Sequence, residues 1–453
     1  MRVMARPSGP SGRAVATVLA AVARSPLDGY LAVAARYGDT VRVPMGPFGD
    51  RFLLSRPEHA EHVLATHQDN FVKPFTAKGL RALIGDGLVT SDGETWRRHR
   101  RLVQPLFSRR NVATFGPAIV GASRRMLNTW AGRPAGTELD VAAAMSALAL
   151  DAVGQALFSA DLTGDADQMS RAMKAGQRVA LIAGLLTLPC GPRSARAVKA
   201  TAKRLGRTPE GIEGFTGRLM AARRADPGPG ASRPDLLDVL LTGQTEDGSP
   251  LADAEISAEI AAFLVAGHET MANTLSWSLA LLSAFPAARG RLEDEVDSVL
   301  GGREPAAADF ARLPWTLAVI SESMRLYPPA WTIGRNAIAD DNIAGVEVAA
   351  GSLVAISPYL IHRHPEFWPD PAGFDPERFL PSGPERPRYT FIPFGGGRRA
   401  CVGQWFAELE AVLVLAAITQ QYRLELTAAG IPKPTAQVTL RPARGLPMRL
   451  ARR

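Results

Sequence analysis

The sequence predicts a mainly α-helical fold, a single large domain over residues 13–453 with small β-sheets at its edge, and three observations carry that expectation. From about Ser55 onward, apolar residues recur at spacings of three and four, interrupted by loops such as Asp226 to Pro234 (DPGPGASRP). Strand-like runs are few and short. No composition shift, Pro/Ser-rich linker or fixed-period repeat divides the 453 residues.

In chain order, residues 1–12 (MRVMARPSGPSG) read as a flexible leader. Ala14 to Ala23, between Arg13 and Arg24, reads as an amphipathic helix, too short to span a membrane and too rich in small residues for a signal peptide. Thr40 to Pro44 with Phe52 to Ser55 predicts an early hairpin; Asn342 to Ile356 and Val438 to Pro442 predict later strand pieces. The longest periodic segment, Asp253 to Ser283, ends at Phe285 and Pro286 and predicts a helix crossing the whole body.

Hydrophobic residues make up 46% and charged residues 21%, the balance of a globular protein, and no segment approaches the roughly 18 uncharged apolar residues of a membrane span. A cytoplasmic protein is expected. Two cysteines, Cys190 and Cys401, cannot build a disulfide framework and neither stands in a C-x-x-C pair, which fits a reducing compartment; Cys190, in a Pro/Gly-rich stretch, receives no role. The net charge of +8 could signal nucleic acid, but only six of the 52 basic residues are lysine and the arginines are spread widely. Coding bias of a GC-rich genome accounts for that better, and no nucleic-acid partner is expected.

Chemistry concentrates in Phe394 to Gly403, FGGGRRACVG. Gly395, Gly397 and Ala400 match the spacing of a dinucleotide fingerprint, with Tyr389 to Phe394 as its strand. That reading fails on context, because Pro393 lies in the would-be central strand and few residues follow. A cysteine on a glycine-rich loop feeding a helix, Val402 to Gln420, is placed to be a thiolate. Helix N-terminal N–H groups and Arg399 stabilise negative sulfur there.

Three further motifs are individually bland. Glu322 and Arg325, at i and i+3 on a helix stopping before Tyr327-Pro328-Pro329, read alone as a solvated ion pair. His268-Glu269 invites a zinc reading, but Ala272 stands where the second histidine would be needed. In the same stretch Ala266 and Gly267 open a gap on one helix face, and Thr270 can bond back to the carbonyl of Ala266. Trp96 to Arg101 (WRRHRR) reads as a solvated basic face or a patch for an acidic partner.

Together these residues resemble the cytochromes P-450. Phe394, Gly397, Arg399, Cys401 and Gly403 match F-x-x-G-x-R-x-C-x-G, Glu322 and Arg325 match E-x-x-R, Ala266 to Thr270 match (A/G)-G-x-(D/E)-T, and Trp96 and Arg100 match W-x-x-x-R. The resemblance runs from Thr40 to Leu450 with the motifs in the family's order. It implies a haem-thiolate fold with haem b (iron protoporphyrin IX) between the long central helix and the cysteine loop. Cys401 would be the iron ligand, and Arg399, Trp96, Arg100 and, by position, Arg335 would contact propionates. Phe394, Gly397, Gly403, Ala266 and Gly267 would line the cofactor, while Glu322, Arg325 and Arg378 (in FDPERF) would brace the loop. Glu269 and Thr270 would hold water and relay protons toward dioxygen.

The resemblance also implies a monooxygenase of secondary metabolism acting on a hydrophobic small molecule such as a terpene, fatty chain or polyketide. Phe75, Leu88, Phe263, Ala330, Trp331, Thr332 and Val438 would line its pocket. Electrons would come from a separate ferredoxin and ferredoxin reductase, since the chain ends 52 residues after Cys401 (453 minus 401). Docking is expected on Arg97, Arg98 and Arg101 of a monomeric enzyme. A haem-thiolate sensor or isomerase is the alternative, and a nicotinamide-dependent oxidoreductase a distant one.

Overall fold

The computed structural model describes residues 8–46, 49–74, 77–162, 164, 211–226, 234–244 and 248–453. Cys190 and Phe75 lie outside them, as does most of the leader. They are mainly helical and fall into two compact units. One comprises Met1–Phe75, Glu322–Cys401 and Pro434–Arg441; the other comprises Thr76–Ser321, Val402–Lys433 and Pro442–Arg453.

The first unit is built on a five-stranded sheet. Strands Thr40–Pro44 and Asp50–Leu54 form the expected hairpin, with Thr40 opposite Leu54. Strand Leu353–Ile356 joins it in parallel, Ile333–Ala337 runs antiparallel to that strand, and Phe71–Val72 closes the edge. Alternation along the strands sorts side chains into two cores. Phe52, Leu54, Val354 and Ile356 enter one, and Val41, Val43 and Leu53 enter the other with Trp331 and Tyr359. The N-terminal helix Arg13–Arg24 buries no residue fully, but lays Val15, Val18 and Leu19 against this second core. Ser8 bridges Val41, so the last residues of the leader lie along the hairpin.

The second unit is a helical body. Its longest element is the helix Asp253–Ala284, which ends at Phe285 as expected, with Pro286 opening the next helix. Helix Val141–Phe158 packs on it so closely that a Cβ on Gly267 would lie 2.9 Å from Val153 Cγ2. By length and composition Val141–Phe158 could cross a membrane, the nearest approach to a span among the described residues. It is nevertheless a core helix, 67% buried, and its one charge, Asp151, is clamped by Arg125 at 2.8 Å. Helix Gln404–Gln421 packs on Gly116–Ala131, and a three-stranded sheet of Glu138–Asp140, Pro447–Arg452 and Tyr422–Leu426 completes the unit. Strands Ile333–Ala337, Tyr422–Leu426 and Pro447–Arg452 carry no strong sequence signal, being short and half polar.

Candidate functional site

The cysteine loop is shaped by its glycines. Gly395 and Gly397 take φ of 73° and 64°, in the left-handed region open to glycine. At Gly397 a Cβ would stand 1.7 Å from the carbonyl oxygen of Leu64, so the loop rests on the backbone of the turn beneath it. The N–H of Cys401 donates to Phe394 O at 2.9 Å and that of Arg398 to Gln68 Oε1 at 2.8 Å; Arg398 also pairs with Asp69. The result is a tight loop with the Cys401 thiol exposed just ahead of helix Gln404–Gln421. No strand precedes the glycines, since residues 389–394 are turn, bend and coil, in keeping with the rejection of the dinucleotide reading. Gly397 serves a close backbone contact instead.

Glu322 and Arg325 form a fully buried bidentate pair at 2.6 and 2.7 Å, not the solvated one their spacing alone suggests. The remaining Arg325 donors reach the carbonyls of His362, Pro371 and Gly373 at 2.7–2.9 Å, and Glu322 Oε1 accepts from the N–H of Asp375. Arg378 completes the network, its Nε 3.5 Å from Glu322 Oε1. Burial still pushes the Glu322 carboxyl up against the pull of Arg325, so the pair holds geometry more than it adds net stability. His362, absent from the sequence reading, is a wedge: its Nε2 accepts from the N–H of Ile392 at 2.9 Å, just upstream of the loop. Burial, with Arg325 and Arg363 beside it, lowers its pKa to about 3, so the ring is neutral.

In the helical unit, Thr270 Oγ1 donates to Ala266 O at 2.6 Å, the back-bond its sequence predicts. Ala266 is exposed in the middle of a helix whose flanks are buried, so this face is open, whereas Gly267 faces Val153. His268 is a core residue, 2.7 Å from Ser146 Oγ, and burial lowers its pKa to about 4. Glu269 lies half-buried beside it.

Helix Gly93–Val103 buries Trp96, while Arg100 one turn on donates to Gln104 Oε1 at 3.0 Å. Of its other arginines, Arg97 and Arg101 are exposed and Arg98 is half-buried. Arg97 pairs with Glu94 and Arg98 with Glu255 of the long helix. Next to them His99 is buried with its Nδ1 2.5 Å from Glu259 Oε1, whose carboxylate also accepts from the N–H of Leu88 at 2.6 Å. Burial alone would lower the His99 pKa, but Glu259 outweighs it and holds the imidazole above its ordinary value. An acidic i, i+4 pair, Glu255 and Glu259, facing a basic helix is the signal that could have revealed this tie.

The expected pocket residues differ in burial. Phe263 is buried and stacked on Phe107, centroids 5.3 Å apart and planes within 2°. Leu88 is buried, and Val438 is exposed. Trp331 is buried among core residues beside Tyr30, its indole donating to Gln437 O at 2.9 Å, between half-buried Ala330 and Thr332. Arg335 and Arg399 are half-buried, as are Phe394 and Gly403.

Comparison with known proteins assigns this arrangement. Residues 7–446 match the family model for Cytochrome P450. Over 449 residues the chain is 34% identical to cyclooctatin synthase of Streptomyces melanosporofaciens, covering 97% of this chain and 94% of that protein. It is 32% identical over 437 residues to pentalenene oxygenase of Streptomyces avermitilis, covering 95% and 94%. Its fold matches the crystal structure of a cytochrome P450 with a TM-score of 0.81 at 28% identity, covering 95% of each chain.

Two predictions follow from the polar networks. Arg325→Met leaves Glu322 buried without its partner and should cost about 3–5 kcal/mol in denaturant titration, part of it recovered in Glu322→Gln/Arg325→Met. Because the folded pKa of His99 is raised, its contribution to stability is complete below about pH 6.5, the unfolded value, and is lost as pH rises through the folded value. The stability gap between wild type and His99→Gln should therefore narrow from mildly acidic to alkaline pH.

Proposed function

The chain belongs to the cytochrome P450 family and is a haem b monooxygenase, and from that premise we propose that its substrate is a terpene, hydroxylated or epoxidised at an unactivated carbon. The relatives named for cyclooctatin and pentalenene, matched over nearly their whole length, support the terpene class. A separate ferredoxin and its reductase would supply electrons to a cytoplasmic, monomeric, single-domain enzyme. That contact would fall on the exposed Arg97 and Arg101 and on the exposed Trp405, which lies under Arg109 at 5.0 Å, while Arg98 is tied to Glu255 of the long helix.

The residues present fit the cofactor. The exposed Cys401 would serve as a soft thiolate ligand, held on the glycine-braced loop just before a helix. Once bound, a haem with thiolate ligation supplies O–O cleavage and insertion of one oxygen atom into a C–H bond or alkene.

The protein's own part is to hold and move protons. Thr270 spends its only hydroxyl proton on Ala266 O, so its oxygen lone pairs face outward as acceptors. A water donating to Thr270 Oγ1 would thereby be held beside the open helix face at Ala266. Glu269 would recharge that water from solvent, and Trp96, Arg100 and Arg399 would orient the cofactor through its propionates. Neutral His268 is held by Ser146 and takes no part in the relay.

The observation that carries this reading is the exposed Cys401 thiol on its glycine-braced loop. Reduced protein under carbon monoxide should show a strongly red-shifted Soret band that Cys401→Ser loses; the same band in both proteins would overturn the ligand assignment. Thr270→Ala should leave terpene-induced spin-state shifts intact while diverting reducing equivalents to hydrogen peroxide, measured as a fall in product formed per NADPH consumed. Unchanged coupling would remove Thr270 from the relay.

A further inference from the structure

In the sheet-bearing unit, away from the cysteine loop's own ligand, two imidazoles and a carboxylate converge. We propose that His62, His67 and Asp341 form a binding site for a divalent transition metal of the zinc class, with water completing a four-coordinate shell.

The convergence has a backbone cause. His62–Thr66 is a turn of π-helix, and the N–H of His67 donates to His62 O at 2.9 Å. In a regular α-helix, residues five apart diverge by about 140°. The wider turn brings them onto one side, and the two rings stack with centroids 3.8 Å apart and planes 11° from parallel. Turns of this kind are rare and concentrate at functional sites.

Asp341 reaches the same spot from the hairpin Asp341–Ile343/Val346–Val348. Its Oδ1 lies 3.1 Å from His62 Nε2, and one candidate ligand atom from each of the three residues lies within 4.8 Å of the others. Zinc binds imidazole nitrogen and carboxylate oxygen at about 2.0–2.2 Å, which places two ligands of a tetrahedron about 3.3 Å apart. The His62–Asp341 approach already has that length. His62 and Asp341 alone would read as an ordinary ion pair. The third ligand sets this cluster apart, with His67 exposed on the side where water would complete the shell.

An outer shell is also in place. Asn70 Nδ2 donates to Asp341 Oδ2 at 3.0 Å and the N–H of Asn342 to Oδ1 at 2.7 Å, which fixes the carboxylate plane. Thr66 Oγ1 lies 3.2 Å from His67 Nδ1, leaving Nε2 as the ligand atom. Partners of this kind orient first ligands and tune their affinity. Two imidazoles with one carboxylate favour zinc, nickel or copper over magnesium or calcium.

The position gives the site a consequence. The same turn supplies the Leu64 carbonyl under Gly397 and the Gln68 side chain that holds Arg398. A metal joining the turn to the Asp341 hairpin would therefore stiffen the base on which the cysteine loop rests.

The test is calorimetric titration of zinc chloride into the haem-loaded enzyme, purified without a histidine tag, so that Cys401 is occupied and does not compete. The expected result is saturable one-to-one binding, weakened at least about tenfold in His67→Ala and in Asp341→Asn. Magnesium should give no heat, and zinc should raise the melting temperature of the wild type but not of His67→Ala. Absence of stoichiometric binding, or binding that both variants retain unchanged, would overturn the site. Since exposed His67 can be replaced without disturbing the core, a folded variant is available for either outcome.

Discussion

The buried pair of Glu322 and Arg325 is the constraint on which the cysteine-bearing unit depends. One guanidinium satisfies both oxygens of one carboxylate and three backbone carbonyls at once, from residues 362, 371 and 373. Those carbonyls lie in a long stretch with little regular structure, where backbone polar groups would otherwise have no partners. Placing one rigid fork of donors among them converts an irregular chain into a fixed platform. Trp368 reinforces it, stacked under both Arg325 and Arg386 at 5.1 and 4.2 Å, with its indole bonded to Ile361 O.

From that platform the order passes to the cysteine through short backbone contacts. His362 accepts from Ile392, Ile392 O accepts from Gly395, and Phe394 O accepts from Cys401. Each step is a hydrogen bond to main chain, so the backbone of Cys401 is fixed by the geometry of the loop. Beneath it, the turn from His62 to Asn70 supports Gly397 and Arg398. The helical unit is organised differently. There a small-residue contact between Gly267 and Val153 sets the helix spacing, and paired charges between Glu255, Glu259, Arg98 and His99 fix the tryptophan-bearing helix to the long one.

These ties explain why charge patterns mislead when read along the chain. The run WRRHRR looks like a solvated basic face, yet two of its members meet acids on another helix more than 150 residues away. Trp331 reads as an apolar residue, and the structure adds the partners that the sequence does not show: Tyr30 beside its ring and Gln437 O at its indole N–H. Periodicity reports that a side chain is apolar or charged; it does not report which neighbour it meets.

The sequence by itself determined the helical class, the long central helix and its end at Phe285, the early hairpin, and the family through four spaced motifs. It also determined the Thr270 back-bond to Ala266, because that contact spans a single helical turn. Such features depend on residues close in the chain, where spacing and geometry are nearly the same thing. Tertiary structure alone decided that Glu322 and Arg325 are buried, that His362 wedges the loop, that Glu259 meets His99, and that His62, His67 and Asp341 converge. Apart from the local His62 and His67 turn, those partners come from segments tens to hundreds of residues apart. No local pattern carries the information of where the folded chain brings them together.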